Sequence, residues 1–179
     1  MNGVAAFLLA GGLAGCAHIE QPSEPGGLET FLIFSNPALC QPAPGHERLL
    51  SGMIAGDANV GFRRGRLLVP ARLREAFGPI QVRKHDGWWT IGAAVTGQIY
   101  KLPLKRIVHA LPEGGDAGDV SYVFAAPIVH VERLLRAHGF PAEIGKDVPL
   151  GPQDGAGFVM SLLPDPENKD HTILTCGSL

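Results

Sequence analysis

A hairpin signal at residues 80–91 is the feature that most constrains the fold. Two stretches rich in strand-forming residues, Ile80–Lys84 and Trp88–Ile91, flank His85, Asp86 and Gly87. The dipeptide Asp-Gly favours a tight type I′ turn, which joins adjacent antiparallel strands. The sequence therefore predicts that these two stretches pair side by side.

Other segments extend this prediction towards an antiparallel meander. Further strands are expected at 30–34, 65–69, 98–102, 120–124, 157–163 and 172–176. Apolar spacing predicts short helices at 45–55 and 71–77. A turn at Thr96-Gly97 is expected before the strand at 98–102, and residues 105–111 fit either a fourth strand or a short helix.

The best helix signal covers residues 126–138. One apolar stripe runs along it through Ile128, Val131, Leu134 and Leu135. Pro127 suits the first turn, and His138-Gly139 supplies a cationic last turn with a terminal glycine. The chain contains 24 Gly and 15 Pro, so many loops and few helices are expected. The predicted fold class is α+β: a single domain with an antiparallel sheet or meander, one main helix (126–138) and short helices.

The N-terminus has the layout of a secretory signal peptide. An apolar stretch at residues 4–12 leads into Leu13-Ala14-Gly15-Cys16, and the composition turns polar after it. The stretch is too short for a mature membrane-spanning helix, which needs about 20 apolar residues. Met1-Asn2-Gly3 carries no Lys or Arg, so either translation starts upstream or the signal is weak. The alternative is an ordinary apolar N-terminal element with a buried cysteine.

The tetrad Leu13-Ala14-Gly15-Cys16 resembles the lipobox of bacterial lipoproteins. This resemblance implies that residues 1–15 are a signal peptide and that Cys16 is lipidated, with acyl chains such as palmitate. Residues 16–28 then form a lipidated tether, and 29–179 form the globular domain. Two or three acyl chains give stable anchoring. Ala17 in place of Asp favours, by resemblance to enterobacterial lipoproteins, the outer membrane, with the domain facing the periplasm.

The chain has three cysteines. If Cys16 carries lipid, Cys40 and Cys176 remain as one pair, and an oxidising compartment favours a disulfide between them. Such a bridge would tie the first and last parts of the globular domain together. The alternative is two unpaired buried thiols.

Charge is unevenly distributed along the chain. Residues 61–109 contain ten Lys and Arg against Glu75 and Asp86 only, which gives this region a net +8 and leaves −10 for the rest. The candidate anion-binding residues are Arg63, Arg64, Arg66, Arg83, Lys84 and Lys101. Candidate partners are anionic lipid or lipopolysaccharide head groups, wall polymers, or an envelope protein, before nucleic acid. The alternative is the solvated face of an antiparallel sheet.

The two adjacent tryptophans offer another contact. Since neighbouring strand residues point to opposite faces, one of Trp88 and Trp89 should enter the core. The other could stack on a glycan or lie at a membrane interface, beside Arg83, Lys84 and Tyr100. Alternatively, helices cover both.

Searches for catalytic and metal-binding patterns find little. The seven histidines contain no His-x-x-x-His spacing, no Cys-x-x-Cys is present, and most histidines are expected at the surface. Ser161 lacks a Gly-x-Ser-x-Gly elbow, and Cys40 lacks an activating signature. We predict no catalytic residue, metal or cofactor, and a non-catalytic binding or structural module. The alternative is a periplasmic hydrolase whose active site is assembled from scattered residues.

Residues 65–91 also resemble a repeat in the copper amine oxidase N-terminal-like domains of bacterial envelope proteins. The matching parts are Leu68-Val69-Pro70, the segment Glu75-Ala76-Phe77-Gly78, and the hairpin up to Thr90-Ile91. The likeness covers less than a fifth of the chain. It implies a structural analogy only, with no catalytic residue and no copper ligand.

Overall fold

A computed structural model describes residues 27–57, 60–115, 118–151 and 157–178. The predicted signal peptide, the lipid site at Cys16 and nearly all of the tether lie outside these residues.

Three short α-helices, two 3-10 helices and eleven strands make up the described chain. In order they are α1 (Leu28–Phe31), β1 (Phe34–Asn36), a 3-10 helix (Pro37–Leu39), β2 (Gln41–Pro42), α2 (Pro44–Met53), β3 (Ile54–Asp57), β4 (Gly61–Arg64), a second 3-10 helix (Ala71–Ala76), β5 (Gln81–His85), β6 (Trp88–Ile99), β7 (Leu102–Pro112), β8 (Asp119–Phe124), α3 (Ile128–Ala137), β9 (Asp147–Leu150), β10 (Phe158–Pro164) and β11 (Thr172–Ser178). Seven of the strands form one sheet in the order β5-β6-β7-β8-β11-β10-β9. Every neighbouring pair in it is antiparallel, which confirms the predicted sheet type.

One face of this sheet carries the hydrophobic core. Alternate residues of the central strands, such as Ile107, Tyr122 and Leu174, are almost fully buried there. They pack in one cluster with the buried sides of α2 and α3. The side chains of Val131 and Leu135 on α3 are fully buried, as the predicted apolar stripe requires. The helix lies within the predicted 126–138 segment, and α2 has the same length of ten residues.

The predicted hairpin is present. Strands β5 and β6 pair from His85↔Trp88 to Gln81↔Gly92. The turn residues Asp86 and Gly87 both have positive φ, 48° and 78°, as a type I′ turn requires.

The predicted turn at Thr96-Gly97 is wrong. Strand β6 continues to Ile99, and the chain reverses at Tyr100 and Lys101 instead. Gly97 lies at an irregularity in the pairing of β6 with β7. A Cβ on Gly97 would lie 2.6 Å from Leu28 Cδ2, so the glycine makes room for α1 to approach.

Two predicted strands are also absent. Residues 30–34 are predicted as a buried strand, but α1 extends into this run up to Phe31 and β1 begins only at Phe34. An apolar run by itself does not distinguish a helix from a strand. No strand forms at 65–69, because the backbone there bonds to the end of α2: Gly65 N–H donates to Met53 O at 3.0 Å, and Arg66 N–H to Gly52 O at 2.6 Å. Conversely, β9 forms at Asp147–Leu150, where no strand is predicted, and it joins the edge of the sheet.

A disulfide joins Cys40 and Cys176, which are 136 residues apart with Cα atoms 6.0 Å apart. Cys40 follows the first 3-10 helix, and Cys176 lies on β11. The bridge therefore connects the start of the domain to its last strand, as predicted.

Candidate functional site

A basic groove borders strand β5. It consists of two adjoining depressions that share Arg64 and Ile80 in their lining. The first, about 460 Å³, is lined by Arg64, Gly65, Arg66, Leu67, Leu68, Arg74, Pro79 and Ile80. The second, about 520 Å³, is lined by Arg64, Ile80, Gln81, Val82 and Arg83. We call this surface the arginine groove, after Arg64, Arg66, Arg74 and Arg83.

The end of α2 positions the first two arginines. Arg64 is the last residue of β4 and lies opposite Ile54 of β3, the strand that follows α2 directly. Arg66 is fixed two residues later by its backbone bond to Gly52. A Cβ at Gly65 would lie 2.1 Å from Gly52 O, so only glycine lets the chain pass this close.

The other two arginines come from different elements. Arg74 lies on the second 3-10 helix, where its Nη1 donates to Leu67 O at 2.8 Å. This bond holds the Arg74 guanidinium against the segment that carries Arg66. Arg83 lies on β5, and its Nη2 contacts Gln81 Oε1 at 3.5 Å. Three separate parts of the chain thus meet in one groove.

The groove carries concentrated positive charge. All four arginines are exposed, and no Asp or Glu lines either depression. Among the described residues, no ion pair joins any of the four to a carboxylate. A guanidinium presents several N–H donors in a plane, which matches the oxygens of carboxylate and phosphate groups. The arrangement is therefore suited to holding anions.

The structure separates the other predicted cationic residues from this groove. Arg63 precedes Arg64 in β4, so its side chain points to the other face of that strand. Lys84 donates to Glu113 Oε1 at 2.5 Å and lies 5.2 Å from the ring centre of Trp89. Lys101 lies in the turn between β6 and β7. Of the six predicted residues, Arg64, Arg66 and Arg83 come together in the groove, and Arg63, Lys84 and Lys101 do not line it.

Arg74 belongs to the groove but is not among the anion-binding residues that the sequence predicts. It was part of the basic stretch, but its position beside Arg66 depends on how the 65–70 segment folds back. No sequence spacing signals this proximity. A further depression of about 510 Å³ brings Arg48 of α2 near Arg72, and its lining also contains no carboxylate.

The tryptophans divide between the two faces of β6. Trp88 is 46% exposed, whereas Trp89 turns inward and packs edge-on against Phe62, with ring centres 6.3 Å apart. The prediction that one is exposed and one points inward is confirmed, and the expectation that helices cover both is wrong, since Trp88 is exposed and Trp89 packs on Phe62 of β4. Tyr100 lies elsewhere, 5.5 Å from Phe140 between ring centres, so it does not accompany Trp88.

A second polar cluster is buried under α2. Nδ1–H of His46 donates to Ile33 O at 3.2 Å, and the hydroxyl of Tyr122 donates to His46 Nε2 at 3.0 Å. A carbonyl only accepts, so this assignment of the His46 tautomer follows from its partners. Burial, together with the nearby His109, lowers the pKa of His46 to about 4, although the hydrogen bond to Ile33 acts in the opposite direction. Burial also raises the pKa of the Tyr122 hydroxyl.

His109 completes this cluster from β7. It is only 6% exposed, and its Nε2 has no hydrogen-bond partner among the described residues. Burial lowers the pKa of His109 to about 4, partly offset by the Leu50 carbonyl. Both histidines are therefore neutral in the fold near pH 7. His46 and His109 are the two described exceptions to the prediction that most histidines lie at the surface, and neither lines a described depression.

The candidate nucleophiles have ordinary structural surroundings. Cys40 is bonded to Cys176. Ser161 lies in β10 directly opposite Thr175 and Asp147 of the neighbouring strands, and no described histidine contacts it through a hydrogen bond. Within the described ranges, no three His, Cys, Asp or Glu side chains converge as metal ligands would.

In the part of the chain that the structure describes, no helix has both the length and the apolar character needed to span a bilayer. Comparison of the chain with protein-family models, curated proteins and solved structures finds no match in any of the three.

Proposed function

We propose that this chain is a non-catalytic, lipid-anchored binding module of the bacterial cell envelope. Its arginine groove binds anionic groups of an envelope component. One observation carries the proposal: Arg64, Arg66, Arg74 and Arg83 line a continuous groove in which no described carboxylate neutralises them.

The envelope location is supported by the resemblance of Leu13-Ala14-Gly15-Cys16 to a lipobox. In this account acyl chains on Cys16 anchor the protein, most favourably in the outer membrane, and the domain faces the periplasm. The disulfide between Cys40 and Cys176 agrees with that location, because disulfides persist in oxidising compartments.

The lining of the groove supports binding in preference to catalysis. Apart from the arginines it consists of Gly, Leu, Pro, Ile, Val and Gln residues. None of these titrates near neutral pH, so the lining supplies hydrogen-bond donors and positive charge but no general base. No observation on the described residues favours the alternative of a periplasmic hydrolase.

Lipid anchoring also explains how a shallow site can suffice. A Lys or Arg near an anionic surface contributes about 1 kcal/mol, so four such charges give roughly 4 kcal/mol, a millimolar interaction. An anchor holds the groove close to partners in the same envelope, and this raises their effective concentration. At this higher effective concentration, a weak interaction in the groove is sufficient for binding.

The anchor is tested by the intact mass of the protein extracted from native membranes. The proposal expects a chain that begins at Cys16 and carries acyl chains and one disulfide. A polypeptide that still begins at Met1 without added mass contradicts the anchor.

The groove is tested with the native protein in neutral detergent, by fluorescence anisotropy with two labelled probes, polyglutamate and inorganic polyphosphate. The groove variant combines Arg64→Glu and Arg66→Glu, and the control combines Lys101→Glu and Lys169→Glu, which changes total charge equally. We expect the groove variant to lose at least tenfold in affinity for a bound probe and the control to lose much less. Equal losses in both variants would contradict a localised site.

A further inference from the structure

The arginine groove follows β5, the edge strand of the seven-stranded sheet, and β4 contacts β5 without pairing with it. Resting on the function proposed above, we infer that its partner is an extended acidic peptide segment, which adds to β5 as an eighth strand. The acidic side chains of that segment would face the arginines of the groove.

The backbone of β5 offers the hydrogen bonds for such an addition. β5 is the terminal strand, and among the described residues it pairs only with β6. The pair His85↔Trp88 flanks a two-residue turn, so these two residues form hydrogen bonds with each other across the β5–β6 ladder. Hydrogen-bonded pairs alternate along an antiparallel ladder, so Arg83 and Thr90 form the next such pair. The N–H and C=O groups of the alternate residues, Val82 and Lys84, therefore point outward. In the described chain, no backbone hydrogen bond engages them.

The groove places charge beside this edge. The second depression is bounded by Gln81, Val82 and Arg83 on β5 and by Arg64 on its other wall. The first depression continues from Arg64 towards Arg66 and Arg74. A strand added to β5 advances about 3.3 Å per residue with side chains alternating in direction. Arg83 shares the face of Thr90. Arg64, in contrast, lies on the same side of β4 as Phe62, which packs on Trp89. Acidic side chains on one face of the added strand would therefore meet Arg83, and those on its other face would meet Arg64.

Charge complementarity favours this partner over a second copy of the chain. Pairing two β5 strands would bring Arg83 of each copy close to Arg83 of the other, and opposed like charges destabilise a strand pair. Lysines on an edge strand often prevent unwanted pairing. Here, however, Lys84 is drawn to Glu113 and over the Trp89 ring. Its charge is engaged there, away from a strand arriving at the edge.

The edge also favours a peptide over a lipid surface. The phosphates of lipid head groups can bind the arginines, but lipids cannot complete a strand ladder. A peptide uses both features together, with backbone bonds at Val82 and Lys84 and charge pairs at Arg64 and Arg83. This is the β-augmentation mode, in which backbone bonds supply affinity and side chains supply specificity.

The test uses the native protein in neutral detergent and an eight-residue peptide of alternating Glu and Val. Two further versions carry N-methyl groups, one on all odd-numbered and one on all even-numbered amides. In a paired strand only one of the two sets faces β5. We expect one methylated peptide to bind at least tenfold more weakly than the parent and the other to bind like the parent. A Lys-Val peptide should not bind.

A variant on the protein side removes the outward donor. Val82→Pro deletes one N–H at a position outside the β5–β6 ladder, where an edge strand tolerates proline. We expect Val82→Pro to weaken binding of the Glu-Val peptide at least tenfold and to weaken binding of polyphosphate much less, because polyphosphate does not use the backbone N–H. Circular dichroism checks that the variant folds; if it does not, the two methylated peptides on the unaltered protein decide the question.

The outcomes separate this inference from the proposed function. If both methylated peptides bind like the parent, or if vesicles of phosphatidylglycerol bind and the peptide does not, strand addition is wrong but anion binding stands. A dimer in analytical ultracentrifugation that Val82→Pro dissociates would make a second copy the occupant and also overturn the inference. If no anionic probe binds in a manner sensitive to Arg64→Glu, the proposed function itself is wrong.

Discussion

Acid should destabilise this domain through His46 and His109. Both imidazoles are buried and have pKa values lowered from 6.5 to about 4. The unfolded chain takes up a proton at each site below about pH 6.5, but the fold resists protonation until about pH 4. The stability linked to each histidine is therefore complete above pH 6.5 and is lost as the pH falls towards 4.

The size of this effect follows from the two pKa values. Between pH 7.5 and pH 4.5, linkage with pKa values of 6.5 unfolded and about 4 folded removes roughly 2–3 kcal/mol per histidine. Two histidines together remove about 5 kcal/mol. Small domains have unfolding free energies of about 5–15 kcal/mol, so the loss is a large part of the total.

Urea denaturation at pH 7.5 and 4.5 measures this loss directly. The variant His109→Leu removes one buried titrating group and also the Nε2 that has no partner among the described residues. We expect it to keep or gain stability at pH 7.5 and to show about half of the acid loss. His85→Gln, at a side chain that is 84% exposed, is the matched control and should behave like the unaltered protein. An unfolding free energy that is equal at both pH values, or an undiminished loss in His109→Leu, would refute the reasoning.

Three other changes have expected costs in unfolding free energy, each measured by urea denaturation at pH 7.5. Replacing Cys40 and Cys176 together by Ala opens a link between residues 136 positions apart and should cost about 5 kcal/mol in the chain-entropy account; a cost below 1 kcal/mol would contradict the bridge. Tyr122→Phe leaves the buried Nε2 of His46 without its donor and should cost about 1–3 kcal/mol, whereas no cost would contradict that hydrogen bond. The Cβ that Gly87→Ala adds would have no atom within 4 Å, so the expected cost of about 1–2 kcal/mol should come from the φ of +78° alone. Because Asn tolerates positive φ better than Ala, Gly87→Asn should recover part of this cost, and an equal stability of Gly87→Ala and the unaltered protein would contradict the turn.

The features that could be predicted from the sequence depend on a few residues close together in the chain or on composition. The turn at Asp86-Gly87 needs only residues that tolerate positive φ, so two neighbours determine it. The apolar stripe of α3 is also local, since spacing alone defines the face that Val131 and Leu135 present to the core. Cys40 and Cys176 were paired by elimination, because only two cysteines remain once Cys16 is assigned to lipid.

Features that depend on contacts between distant parts of the chain could not be predicted from the sequence. Gly97 resembles a turn residue, yet it serves the approach of Leu28 to β6. The 65–69 segment has the composition of a strand, but the backbone N–H groups of Gly65 and Arg66 donate to carbonyl groups at the end of α2. The burial of His46 depends on a donor 76 residues away, Tyr122. Similarly, Arg74 joins the arginine groove only because the chain folds back through Leu67.

The arginine groove is tested most directly by nuclear magnetic resonance of the guanidinium groups. Native protein carrying ¹⁵N-labelled arginine is titrated with the Glu-Val peptide and, separately, with tripolyphosphate, and the Nε–Hε signals are followed. We predict that the signals of Arg64, Arg66, Arg74 and Arg83 shift together with one binding constant, while those of Arg133 and Arg136 on α3 stay in place. Shifts confined to α3, or no shift with either probe, would contradict anion binding in the groove.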